Sequence, residues 1–115
     1  MCFHIEKGVN SKFKIAKKDI TCYKMIFLND RAYYQNFAYS PNTLYNFINI
    51  KKEFDIIEKG YHSYSTKYKA FCSGNKFYCK IVKFIIPKGT KYYYNSFYKE
   101  YVSTKIKSGN LKSLD

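Results

Sequence analysis

Apolar and polar residues alternate in short runs that suit β-strands, and turn-forming residues separate the runs. Residues 20–28 are rich in β-branched and aromatic side chains and stop at the pair Asn29 and Asp30. Residues 32–39 continue in the same style until Pro41, which has no amide hydrogen to donate to a ladder. The pattern predicts a strand, a turn and a return strand.

The second half of the chain also contains short strand patterns, together with one segment that predicts a helix. A short strand beginning at Tyr61 runs into a Ser-Thr pair, either member of which can cap a helix over residues 67–72. Residues 76–86 alternate in part and predict a central strand, and the proline and glycine of residues 87–90 predict a tight turn. Two further strands are predicted, over residues 92–94 and 100–107.

Three segments fall outside these strands: a polar, lysine-rich lead-in with one short strand, a stretch that fits either a short helix or a loop, and a polar, loose tail. They are residues 1–18, with the strand around Phe13 and Ile15, residues 44–50, and residues 108–115. The predicted fold class is α+β, a small and mostly antiparallel sheet with one or two short helices. Because 115 residues is near the usual size of one domain, residues 1–115 are predicted to form a single domain.

No apolar run reaches the roughly 18 residues that a membrane helix needs. Residues 1–7 include an acidic side chain and no apolar segment, so we expect no secretory signal. The expected location is the cytoplasm, where the four cysteines would stay as free thiols. The chain contains no Cys-x-x-Cys pair, and no metal site is expected.

The net charge of +13 indicates an anionic ligand or partner, such as a nucleotide or a nucleic acid. Only Arg31 among the 21 basic residues is an arginine. Lysine is a flexible point charge and lacks the planar bidentate geometry that reads guanine, so sequence-specific DNA recognition is disfavoured. The lysines are spread almost evenly along the chain, and AT-rich coding would produce the same composition. The sequence therefore locates no basic patch.

Tyrosine and lysine often stand next to each other, a combination that suits stacking on a base while neutralising a phosphate. Most of the 14 tyrosines must build the core, because the chain has no tryptophan. The predicted ligand-binding residues combine cations for phosphate with hydroxyl, imidazole and aromatic groups for base or ribose. They are Lys24, Arg31, Lys88, His62, Ser63, Ser65, Tyr93 and Tyr101.

His62 is the strongest single candidate for a site residue, because it stands on a strand after Gly60 and directly before Ser63. A histidine that is hydrogen-bonded within the sheet is the structural alternative. Ser63 is adjacent and points the opposite way, and neither Cys72 nor Cys79 has a visible partner for nucleophilic catalysis. Hydrolase chemistry has no support.

Several short motifs occur in the second half of the chain: Gly-aromatic-His-Ser-aromatic, an alanine on the next helix, Ile-Pro-Lys-Gly-Thr, a pair of tyrosines and Tyr-Val-Ser. They lie at residues 60–64, 70, 86–90, 92–93 and 101–103, and the sequence starts Met-Cys. In these motifs the chain resembles a type of small protein predicted in bacteriophage genomes. The resemblance implies a viral accessory protein and no particular activity.

A Ser-Thr strand end, an alanine-bearing helix, a Pro-x-Gly-Thr turn and a glutamate also follow one another here, at residues 64–66, 70, 87–90 and 100. This order resembles the core of the ADP-ribosyltransferases. The resemblance implies a catalytic set of Ser65, Thr66 and Glu100, in which the hydroxyls support an NAD pocket and the glutamate holds a ribose hydroxyl. Those enzymes grip the phosphates with an arginine on an earlier strand, where this chain has Lys24, and Arg31 lies beyond that strand in a turn.

Three hypotheses about function result. The first is a non-enzymatic phage accessory protein that binds a small phosphorylated ligand of the nucleotide type, needs no cofactor, and sequesters an immune signal in the cytoplasm of an infected bacterial host. The second is a minimal ADP-ribosyltransferase-like enzyme. The third is a binder of nucleic acid or of an acidic host protein. A homo-oligomer with a pocket across its interface is an alternative that the sequence does not decide. No membrane partner is expected.

Overall fold

A computed structural model describes residues 3–4, 13–32, 38–46, 52–53, 56–57, 60–72 and 77–114. Most of the regular structure in these ranges is strand, and the helix found there has five residues. The strands are β1 (Phe3–His4), β2 (Lys14–Ile15), β3 (Ile20–Phe27), β4 (Leu44–Asn46), β5 (Lys52–Glu53), β6 (Ile56–Ile57), β7 (Tyr61–Tyr64), β8 (Cys79–Ile86), β9 (Lys91–Asn95), β10 (Glu100–Ser103) and β11 (Lys105–Ser108), and the helix is α1 (Lys67–Phe71).

The paired strands are antiparallel throughout the described residues. The larger sheet has the order β2-β9-β10-β7-β3-β8-β11-β4, and β1, β6 and β5 form a separate small sheet. The predicted, mostly antiparallel sheet is confirmed. The helical part of the predicted α+β class is small, because α1 is the one helix in the described ranges.

The predicted strand over residues 100–107 is in fact two strands, because Thr104 interrupts it. β10 pairs with β9 and β7, whereas β11 pairs with β8 and β4. In a flat sheet the four strand spacings between β10 and β11 would come to roughly 19 Å, but a one-residue link spans at most about 7 Å. The sheet therefore folds over on itself. One half contains β2, β9, β10 and β7, and the other contains β3, β8, β11 and β4.

The inner face of the folded sheet carries the main core. Tyr61 of β7, with Tyr92 and Tyr101 beside it, packs in one cluster with buried side chains from the other half. The two halves thus bury their facing surfaces against each other, as packed sheets do. The buried side chains from the second half are Cys22, Ile26, Val82, Phe84, Ile86 and Ile106.

The outer face of β3, β7 and β8 is covered by α1. The hydroxyl of Thr66 caps this helix by accepting the amide of Lys69 at 3.2 Å. Ala70 packs in a second cluster with Met25 and Tyr64. The predicted helix is confirmed, with Thr66 rather than Ser65 as its cap. At five residues α1 is too short to cross a bilayer. The described part of the chain contains no helix that is long and apolar enough to do so.

Strand β3 and its turn follow the prediction, but the segment after the turn does not. Ala32 and Ala38 form isolated bridges, to Ile26 and Arg31 respectively, in place of a regular return strand. The rest of the predicted return strand, residues 33–37, lies outside the described residues.

The segment predicted as a helix or a loop contains the edge strand Leu44–Asn46. It pairs with Lys105–Lys107 of β11, a partner sixty residues away that no local pattern reveals. Residues 47–50 lie outside the described residues.

The predicted loose tail is docked against the sheet as far as residue 114. Ser108 belongs to β11, and Leu111 is 4% exposed within the core. The amide of Leu114 donates to the carbonyl of Ile81 at 3.0 Å. The prediction was wrong because one buried leucine and main-chain hydrogen bonds hold the tail, and neither gives a local signal in a polar sequence.

Leu111→Ala should therefore lower the free energy of unfolding by about 2–4 kcal/mol, because it opens a cavity in the core. Leu114→Ala is the matched control, since Leu114 is 39% exposed and its truncation should cost less than about 1 kcal/mol. Urea unfolding of the two variants measures the difference. Equally small losses would contradict the docked tail.

Candidate functional site

The candidate site lies where the two halves of the sheet part. Tyr23 and Tyr64 form the one registered pair between β3 and β7 in the described residues. Next to this pair, Nζ of Lys24 donates a hydrogen bond to the main-chain oxygen of His62. A lysine side chain thus reaches from β3 to the backbone of β7 at the point where regular pairing ends.

The register of the strands brings several polar groups to the inner face beside Lys24. Ser63 stands opposite Tyr101. The hydroxyls of Ser65 and Tyr94 are 3.5 Å apart, and the ring centroids of Tyr94 and Tyr101 are separated by 4.7 Å. We call this group the inner site, and its members are Cys22, Lys24, Ser63, Ser65, Tyr94 and Tyr101.

The ammonium of Lys24 is half-buried in this site. Its Nζ lies 5.8 Å from the ring centroid of Tyr39 and 5.9 Å from that of Phe84. None of the described carboxylates lies within 4 Å of it. Burial lowers the pKa of Lys24 from 10.5 to about 8, because the ammonium loses hydration, while Cys22 and the Glu100 carboxylate act in the opposite direction. An anion placed here would supply a counter-ion in ion-pair range.

The other groups of the inner site are neutral at physiological pH. Burial raises the pKa of the Cys22 thiol to about 12, although the Ser63 hydroxyl beside it acts in the opposite direction. Burial and the neighbouring Tyr94 raise the pKa of Tyr101 to about 12. Cys22 therefore stays a thiol rather than a nucleophilic thiolate. The site offers one cation, with hydroxyls on the same face of the neighbouring strands.

Two buried serine hydroxyls on the inner face lack well-formed hydrogen bonds to the described residues. Ser63 and Ser103 are fully buried, and apart from the contact of the Ser63 hydroxyl with the Cys22 thiol the Oγ atom of each lacks a partner among those residues. Buried hydroxyls are normally hydrogen-bonded, so these two groups are available to a polar ligand or a water molecule.

His62 and Glu100 form a separate pair on the outer face. Nδ1 of His62 lies 3.4 Å from Oε2 of Glu100, and the Glu100 residue is 2% exposed. Glu100 stands opposite Tyr64, whose side chain packs under α1. Because side chains alternate along a strand, this pair points away from Lys24. The Nε2 atom of His62 is buried and unpartnered among the described residues.

The structure brings together only part of the predicted ligand-binding set. The members that meet in the inner site are Lys24, Ser63, Ser65 and Tyr101. His62 is on the outer face with Glu100. Tyr93 is also on the outer face, where its ring packs against Phe13 at 6.4 Å between centroids.

The two remaining predicted cations lie in turns. Arg31 follows β3 and is exposed. Lys88 is exposed beyond Ile86, whose partner on β3 is Ile20. Four residues of strand separate Ile20 from Lys24, which is about 13 Å. The structure therefore does not place Arg31 or Lys88 beside Lys24.

The set implied by the ADP-ribosyltransferase resemblance is divided in the same way. Ser65 points into the inner site, Thr66 caps α1, and Glu100 lies on the outer face. Lys24 on β3, Ser65 directly after β7, and Glu100 on β10 nevertheless belong to neighbouring strands in the order β3-β7-β10.

Sequence reasoning missed Cys22, Tyr94 and Ser103 as inner-face residues. The run of tyrosines at residues 92–94 shows that Tyr92 and Tyr94 share a face opposite Tyr93. It does not show which face is inside, since all three side chains are equally apolar. The register with Tyr101 on β10 decides this.

No protein-family model, curated protein or solved structure matches this chain. Within the described ranges, no three His, Cys, Asp or Glu side chains are grouped as a metal site would require. The arrangement of the inner site is therefore the observation from which a function can be argued.

The Lys24→Met variant should be at least as stable as the wild type at pH 7, because folding would no longer bury an ammonium without a counter-ion. The pKa of Lys24 is about 8 in the folded chain and 10.5 ordinarily, so the unfolded chain binds more protons between these values. The wild type then gains stability as the pH rises through 8, and the variant does not. The free energy of unfolding of Lys24→Met minus that of the wild type should therefore decrease by about 1–2 kcal/mol between pH 7 and about pH 9.5.

Urea unfolding at several pH values measures this difference. Lys83→Met is the control, since Lys83 is an exposed lysine on the neighbouring strand β8. Its difference from the wild type should not change with pH. If the difference in the free energy of unfolding between Lys24→Met and the wild type were also independent of pH, folding would not lower the pKa of Lys24. That result would refute the description of Lys24 as a half-buried cation without a close counter-ion.

Proposed function

We propose that this chain binds a small phosphorylated ligand of the nucleotide type in the inner site and releases it unchanged. The observation that carries the proposal is Lys24, which is half-buried on the inner face together with the hydroxyls of the neighbouring strands and has no described carboxylate in ion-pair range. A charge in such a place destabilises the fold by itself, and a phosphate oxygen would convert it into a charge-assisted hydrogen bond.

The groups around Lys24 suit the rest of a nucleotide. Ser63 and Ser65 offer hydroxyls that can donate to phosphate oxygens or accept from a ribose. The tilted ring pair of Tyr94 and Tyr101 offers aromatic surface for a base. Both hydroxyl and ring surfaces are preorganised by the strands β7, β9 and β10, so little ordering is needed when the ligand binds.

Capture without conversion agrees with the groups that are present in the inner site. The Cys22 thiol stays protonated, and no carboxylate or imidazole side chain of the described residues lies beside it on that face. A protein that binds a nucleotide and leaves it intact acts by lowering the free concentration of that nucleotide. In a phage accessory protein, which the sequence motifs suggest, the ligand would be a nucleotide immune signal of the infected host.

Calorimetric titration with a panel of nucleotides and dinucleotides tests the proposal, together with mass spectrometry of what the denatured protein releases. Lys24→Met should weaken binding about 10- to 100-fold, because one charged hydrogen bond is lost. Lys83→Met removes the same charge from the outer surface and should leave binding unchanged. Affinity of the wild type should also fall up to about tenfold between pH 7 and pH 9, as Lys24 loses its proton.

Three results would count against capture in the inner site. The first is an absence of binding by any nucleotide in the panel. The second is binding that the Lys24 and Lys83 variants reduce equally. The third is release of a cleaved ligand after incubation.

A second candidate function is a minimal ADP-ribosyltransferase-like enzyme. It is favoured by the neighbour order β3-β7-β10, since Lys24 is on β3, Ser65 directly follows β7 and Glu100 is on β10. The buried Glu100 carboxylate beside the His62 imidazole is also a pair of the kind that can accept and donate protons. Against it stands the division of Ser65 and Glu100 between opposite faces.

The enzyme would release nicotinamide from NAD, and Glu100→Gln should reduce the rate at least about 100-fold while NAD binding changes little. Chromatographic detection of nicotinamide measures the rate. Lys99→Gln, an exposed change next to Glu100, is the matched control and should keep the rate. Intact NAD after long incubation would refute the enzyme.

A further inference from the structure

Three segments that are distant in sequence meet at one corner of the folded sheet. Ala16 accepts the amide of Gly89 at 2.8 Å, and its own amide donates to the carbonyl of Thr90 at 2.9 Å. The amide of Thr104 donates to the carbonyl of Lys91 at 3.1 Å. The link from β8 to β9, the link from β10 to β11 and the segment after β2 are thereby held together.

This corner gathers exposed lysines from all three segments. We call them the basic corner, and they are Lys17, Lys18, Lys88, Lys91 and Lys105. None of them forms an ion pair with a described carboxylate. Asp19 is the only acidic residue in these segments, and its carboxylate accepts the main-chain amide of Lys88 at 2.8 Å. The corner is therefore strongly positive, although the lysines look evenly spread along the sequence.

An exposed aromatic side chain stands beside the basic corner. Phe13 is 47% exposed, and its ring is fixed by edge contact with Tyr93. Nζ of Lys91 lies 3.9 Å from the centroid of the Phe13 ring. A fixed, exposed ring next to lysines can stack an unpaired base while the lysines neutralise the flanking phosphates.

We propose that the basic corner binds the backbone of single-stranded nucleic acid, with Phe13 stacking on a base. Charge complementarity favours a polyphosphate, because lysine is a good point-charge partner for phosphate and is depleted from the cores of protein interfaces. The scarcity of arginine makes the binding independent of sequence. This surface is separate from the inner site, since its lysines are exposed at the sheet corner and Lys24 is on the inner face.

Fluorescence anisotropy with a labelled single strand of about 16 nucleotides, measured over a range of KCl concentrations, tests the proposal. The corner variant is K17Q/K18Q/K88Q. The control is K67Q/K83Q/K112Q, which removes the same charge from exposed positions elsewhere. The corner variant should weaken binding about tenfold and reduce the slope of log affinity against log salt by about 2, whereas the control should keep the slope.

The Phe13→Leu variant tests the aromatic contact. It should weaken single-strand binding about fivefold or more and leave the weaker duplex binding unchanged. Urea unfolding of each variant shows whether the fold is kept, and Lys24→Met should bind the single strand as the wild type does. A result against nucleotide binding in the inner site can therefore be distinguished from a result against single-strand binding at the basic corner.

Several outcomes would overturn the inference. Equal losses in the corner and control variants would mean that net charge alone drives binding. Equal affinity for duplex and single strand, with no effect of Phe13→Leu, would remove the aromatic contact. Displacement of the oligonucleotide by poly-glutamate at matched charge would assign the corner to an acidic protein. An absence of any binding at low salt would end the proposal.

Discussion

The link of one residue between β10 and β11 is the constraint on which the rest of the structure depends. A chain that leaves one half of the sheet at Ser103 must enter the other half at Lys105, and the sheet can meet this demand only by folding over. The inner faces then form a shared core. The same folding opens the pairing between β3 and β7, and it brings three lysine-bearing segments to one corner. Core, inner site and basic corner have one geometric cause.

Positive charge occurs in two different environments in the folded sheet. Lys24 is drawn inside, where loss of hydration lowers its pKa although Cys22 and Glu100 act in the opposite direction, and no described carboxylate lies in ion-pair range of its ammonium. The lysines of the basic corner stay in water, where each costs the fold little. An isolated, half-buried cation suits one anionic group held firmly, whereas a cluster of exposed cations suits a polymer of phosphates that binds in a salt-dependent way. Residues that destabilise a fold are typical of functional sites, and this is a further reason to assign Lys24 to one.

The pair of His62 and Glu100 illustrates why strand alternation matters for assigning roles. His62 offers its main-chain oxygen to Lys24 on one side of the strand and its imidazole to Glu100 on the outer face. The residue therefore contacts both the inner site and the outer pair without its side chain entering the inner site.

Local patterns in the sequence determined the strands β3, β7, β8 and β9, the helix that follows the Ser-Thr pair and the turn at residues 87–90, because alternation, capping and turn formation depend on near neighbours. They also determined that lysine and tyrosine are the available chemistry and that His62 and Ser63 lie on opposite faces of their strand. Only the tertiary structure decided that Lys24, Ser63, Ser65 and Tyr101 share the inner face while Tyr93 is on the outer face, that Thr66 is the helix cap, and that evenly spaced lysines form a corner. The reason is that face and register come from pairing between distant strands, where a shift of one residue reverses every side chain. The break at Thr104 and the docking of Leu111 depend on the same long-range contacts, and no local sequence signal reports them.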